Sequence, residues 1–169
     1  RFAALGDAQS LYKAWVAVAA GAKNAQALLA AVDKTWANDP AYLFLLIERM
    51  RRQDKYRDAA QLLEKVPADA GKLINGGEWW NERRIIARGL ADLGDFKAAY
   101  RVVAGHATQS SVDRVDAEFH AGWYALRALH DPVLAQTHFR NILDASTRPL
   151  SASRAWYWLG RAAEAGGQG

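Results

Sequence analysis

The sequence predicts an all-α protein, a right-handed superhelix of about nine helices paired as antiparallel hairpins, and three observations carry that prediction. Helix start and stop signals punctuate the chain from end to end. No segment alternates apolar and polar residues as a half-buried strand does, and no two-residue turn joins two apolar runs. Three stretches also resemble one another, "IERMRRQDKYRDAAQLL", "ARGLADLGDFKAAYRVV" and "WYALRALHDPVLAQTHF". Each reads as a helix end, a tight turn holding Asp54, Asp95 or Asp131, and a second helix. Tyr56, Phe96 and Pro132 align 40 and 36 residues apart, and Ala59, Ala99 and Ala135 align with them. Those spacings are near the periods of stacked helical hairpins, the alternative being a closed helical bundle, and the alanines let two helices approach closely.

Taken in order, the apolar stretch Ala14–Ala22 is interrupted by Lys23, Asn24 and Gln26, and Gly21 falls where a helix should end. Asp39-Pro40 and Asp131-Pro132 each set an N-cap before a proline at the first helical position. Ser110 and Asp113 have capping-box spacing ahead of "VDAEFHAGWYALRAL". Gly94 and Gly105 fall at helix ends, and polar or Gly-rich breaks fall near 37–40, 53–55, 66–78, 105–111, 130–132 and 145–151. The final stretch, "RAWYWLGRAAEAGGQG", places Trp156 and Trp158 on opposite sides of one helix. Trp156-x-x-Leu159-Gly160-x-x-Ala163 resembles the opening helix of a tetratricopeptide repeat, with alanine in place of the last tyrosine. The expectation is half a hairpin, with Trp156 covered by the preceding pair and Trp158 exposed or covered by another copy of the chain.

Composition narrows the classes. Of 169 residues 51% are hydrophobic and 24% charged, a globular balance rather than a disordered one. The single domain expected over 1–169 reads as a piece of a longer, secreted precursor, because the chain opens at Arg1 with no leader. No cysteine is present, which excludes disulfides and thiolate metal sites. A net charge of +4 spread among both signs argues against a dedicated nucleic-acid surface. The longest apolar run is too short for a membrane span.

No catalytic constellation stands out. His106, His120, His130 and His138 have neither the His-Glu-x-x-His pattern nor zinc-site spacing, and no phosphate-binding glycine loop or nucleophile elbow occurs. No cofactor is implied. Charged groups such as Glu48, Arg49, Arg51 and Arg52 read as a solvated helix face. Two apolar stripes mark the expected core, Trp79/Ile86/Leu90/Leu93 and Phe119/Trp123/Leu126/Leu129, with Tyr124 on another face. Trp80 lies over Ala87 and Ala91, near Arg84. It reads either as packing for the adjoining hairpin or as a platform for a sugar or peptide. Trp80, Arg84 and Tyr124 are therefore the candidate binding residues.

"WWNERRIIARGLADLGDFKAAYRVV", "AEFHAGWYALRALHDPVLAQTHF" and "SRAWYWLGRAAEA" together resemble the superhelical helical-hairpin region of soluble lytic murein transglycosylases, most closely over residues 77–165. In that family a ring of hairpins carries a C-terminal lysozyme-like domain, which cleaves peptidoglycan between N-acetylmuramic acid and N-acetylglucosamine to leave a 1,6-anhydro end. The family's catalytic Glu-Ser, Gly-Leu-Met-Gln and Ala-Tyr-Asn strings are absent from this chain, so no catalytic residue carries over. The resemblance implies a non-catalytic periplasmic scaffold, whose partners are peptidoglycan glycan strands and its own downstream catalytic domain. The alternative is a free-standing adaptor that binds a protein or peptide partner.

Overall fold

Proline and aspartate start helices where the sequence puts them. Asp39 Oδ1 accepts from the Ala41 amide at 2.8 Å, and Asp131 Oδ1 accepts from the Leu134 amide at 2.9 Å, each ahead of a proline. Ser110 and Asp95 cap two more helices through the amides of Asp113 and Ala98. The computed structural model describes residues 8–73 and 75–167. Among them are nine α-helices and no strand: α1 (Ala8–Ala19), α2 (Ala25–Ala30), α3 (Pro40–Arg52), α4 (Tyr56–Leu63), α5 (Gly76–Asp92), α6 (Phe96–Ala104), α7 (Ser111–Arg127), α8 (Pro132–Ala145) and α9 (Pro149–Ala165).

The resembling stretches are the turns of three helix pairs, α3/α4, α5/α6 and α7/α8. In each, one residue takes the left-handed conformation two positions before the second helix: Asp54 (φ 57°), Gly94 (φ 77°) and His130 (φ 55°). Left-handed φ lets the next amides turn back onto the helix they leave, as Lys55 N–H does to Met50 C=O and Asp95 N–H to Leu90 C=O, both at 2.9 Å. The aligned alanines Ala59, Ala99 and Ala135 are fully buried on the second helices.

The chain divides into two compact units, Arg1–Pro67 and Ala68–Gly169. In the first, α1, α2 and α3 enclose a small core of Ala14, Val18, Ala25, Leu29 and Leu45. In the second, each helix packs on its neighbours in sequence, and α7 also touches α5 and α9. Ala125, Ala135, Phe139, Ile142, Ala155 and Ala162 form one core cluster of this unit.

The structure overturns several expected positions. Trp79, Ile86 and Leu90 are buried as expected, but Leu93 at the stripe's end lies 52% exposed beside the turn. Trp123, expected in the core, is 38% exposed, whereas Tyr124 is only 7% exposed. The reason is that α7 is gripped on several sides through its smallest residues. Ala117, Ala121, Gly122 and Ala125 take the close-approach positions, which rotates Trp123 outward. On α9 the two tryptophans exchange their expected places. Ala155 and Ala162 face the core, so Trp158 stacks on Phe139 at 5.9 Å between ring centroids, while Trp156 is 64% exposed.

Candidate functional site

The first turns of α5 and α7, together with Arg154 of α9, wall a polar groove of about 540 Å³. Asn81, Arg84, Asp113, Asp116, Arg154 and an edge of Trp80 line it. Because α5 and α7 both begin at this end of the unit, residues 36 apart in sequence meet: Trp80 Nε1 donates to Asp116 Oδ2 at 3.0 Å. The same carboxylate lies 3.7 Å from Arg84 Nη1 and 3.4 Å from His120 Nδ1. His120 Nδ1 also lies 2.8 Å from the Asp116 carbonyl, which can only accept, so that nitrogen carries the proton. Arg84 in turn donates to Asn81 Oδ1 at 3.2 Å. Asp116 is thus the hub that fixes the orientation of the groove's wall.

Of the candidate residues, Trp80 and Arg84 meet at this groove and Tyr124 does not. Tyr124 lies two turns further along α7, about 12 Å by helix rise. There burial raises its phenol pKa, Asp92 raises it further and Arg88 lowers it. Of the two readings of Trp80, the packing role holds and the exposed platform does not. At 4% exposure, edge-on to His106 and His120, its ring offers no free face to a sugar. Its indole N–H anchors the groove instead.

Behind the groove lies a buried polar network that the sequence reading missed. Glu118 of α7 accepts from His106 Nε2 at 3.2 Å, His138 Nδ1 at 2.7 Å and Asn141 Nδ2 at 3.1 Å. Burial works to raise the Glu118 pKa, but these hydrogen bonds outweigh it and hold the carboxyl at about 2, against an ordinary 4.5. An ionised carboxylate only accepts, so the ring protons sit on His106 Nε2 and His138 Nδ1. The remaining ring nitrogens lie 3.1 Å from the Thr108 hydroxyl and 2.9 Å from the Tyr100 hydroxyl. Burial, followed by the Asp131 and Glu118 charges, raises the pKa of Tyr100. Three side chains converge on Glu118, which ties the α6–α7 connection to α8. Arg83 supplies a second internal tie. Its buried guanidinium donates to the Val102 carbonyl at 2.9 Å, near the end of α6, and burial lowers its pKa to about 10.

Glu118, His106 and His138 come from three separate segments, so no local spacing could reveal them. The one signal was Glu118 itself, a charge set between Ala117 and Ala121 on an otherwise apolar face. Among the described residues no group of His, Asp or Glu is arranged to hold a metal ion, and no helix is long and apolar enough to cross a membrane. No family model, curated protein or solved structure matches the chain.

Proposed function

We propose that this chain is a non-catalytic superhelical scaffold region of a periplasmic peptidoglycan lytic transglycosylase, which positions a glycan strand for a catalytic domain elsewhere in the parent polypeptide. The observation that carries the reading is the groove on α5, α7 and α9. It lies within residues 77–165, where the sequence resembles that family, and its lining suits a hydroxyl-rich polymer. Hydrogen-bonding groups of both kinds face it, with Asn81 and the two arginines donating and Asp113 and Asp116 accepting. Neither carboxylate falls in one of that family's catalytic strings, so the reading assigns the groove binding rather than cleavage.

Sedimentation with purified murein sacculi tests this reading. The chain is expected to pellet with sacculi and to release no anhydromuropeptides. Release of such products would remove the scaffold reading, and failure to pellet would remove its glycan contact. A second reading, an adaptor for a protein partner, is favoured by one feature, the exposed Trp156 and Tyr157 on α9. Pull-down of a protein ligand that Trp156→Ala abolishes, with sacculi left unbound, would select it.

A further inference from the structure

Helix α9 packs one side into the core and leaves the other bare. Ala155, Trp158 and Ala162 point inward. Trp156 is 64% exposed, Tyr157 61% and Leu150 83%. One turn past Trp156, Gly160 leaves a notch in the helix surface, with nothing within 4 Å of a Cβ built there. The chain itself shows what such a notch takes. On α7 the corresponding Gly122 accepts the ring of Phe139 from α8, the helix that returns alongside it. On α9 an open notch and an uncovered aromatic ring lie at i and i+4 on one helix face.

That order of large and small side chains is self-complementary. When two copies of α9 meet antiparallel across a two-fold axis level with Trp158, Trp156 of each falls on Gly160 of the other. The charged groups at the rim do not oppose this. Arg161 pairs with Glu164 at 2.8 Å, and Arg154 is turned onto the ring of Phe119 at 3.5 Å. Antiparallel pairing also sets the two helix dipoles head to tail. A flat ligand fits less well, because Trp156 and Tyr157 stand about 100° apart around the helix and share no plane. We propose that α9 is a homodimer interface, in which Trp156 of each copy fills the Gly160 notch of its partner. At these exposures the two rings of one copy present on the order of 250 Å². Doubled, and joined by Leu150 and the backbone around Gly160, this reaches the low end of specific interfaces, about 1,000 Å² in total. The dimer is therefore weak, with a Kd of about 0.1 mM, and at the micromolar concentrations of a denaturant melt the chain is a monomer with α9 bare. The pairing does not rest on the glycan reading.

Sedimentation equilibrium of the 169-residue chain from about 10 μM to about 1 mM tests it. The mass should rise from monomer to dimer across that range. Trp156→Ala removes the ring and Gly160→Leu blocks the notch, so each should weaken association at least about tenfold, as truncation or obstruction of a central anchor does. Both changes leave the core untouched and favour helix, so melts at micromolar concentration check that each variant stays folded. The register has its own test. In a mixed pair of the two variants, one ring still meets one glycine, and the added leucine faces the truncated position. An equimolar mixture should therefore associate more tightly than either variant alone. Trp15→Ala, which removes an exposed ring of the other unit, should leave the affinity unchanged. A chain still monomeric at about 1 mM would overturn the interface. So would a dimer that neither α9 variant weakens, a mixture no tighter than its separate components, or equal weakening by Trp15→Ala.

Discussion

Helices α7 and α9 are each 17 residues long and repeat one pattern 38 residues apart, yet their surroundings differ. Glu118 and Gly122 of α7 correspond to Trp156 and Gly160 of α9, and the buried Ala117 to the buried Ala155. On α7 that face is occupied. Glu118 is bound by His138 and Asn141 of α8, and a Cβ built on Gly122 would stand 2.5 Å from the ring of Phe139. On α9 the same face is open. Trp156 is exposed, and nothing stands within 4 Å of a Cβ built on Gly160. The difference teaches that a small residue on a helix face has no fixed meaning. It is a packing requirement where a neighbour fills the notch and a weak point in the helix where none does.

Substitutions at the four positions should separate in that order. Glu118→Gln should have the largest effect, about 3 kcal/mol of lost stability in denaturant melts, because it leaves buried donors facing an amide. Its pH dependence gives a second readout. The folded carboxyl titrates at about 2, below the ordinary 4.5, so its contribution is fully present above pH 4.5 and is lost as pH falls toward 2. Glu118→Gln should flatten the acid limb of stability, and an unchanged limb would mean that Glu118 is not held low.

Next in size is Gly122→Ala, which should destabilise by about 1–3 kcal/mol because Phe139 must move. Gly160→Ala, chemically the same change, should stabilise by about 0.5–1 kcal/mol through helix propensity. Equal effects at the two glycines would break the comparison. The smallest effect belongs to Trp156→Ala, within about 0.5 kcal/mol as for an ordinary surface position. A loss of several kcal/mol there would show that the α9 face is covered in solution.

Much of the fold was legible because its signals are local. A proline fixes φ and an aspartate caps its own turn, so Asp39-Pro40 and Asp131-Pro132 mark helix starts whatever surrounds them. The turn between two paired helices is equally local, and its recurrence made the three pairs visible along with the burial of Ala59, Ala99 and Ala135. Within the candidate site, the proximity of Trp80 and Arg84 was readable as neighbouring positions on one helix.

The sequence by itself determined that the chain is helical, where the helices begin and turn, and which small residues lie on the second helix of each pair. Only the tertiary structure decided which face of a first helix is inside. On α7 and α9 apolar side chains surround the helix, so periodicity does not single out one buried stripe, and the closest approach goes to the smallest residues instead of the largest. That is why Trp123 turned out and Tyr124 in, and why Trp158 rather than Trp156 found a partner. The Glu118 network and the groove belong to the same class. Each gathers side chains from three or more segments, and only packing brings those segments to one place.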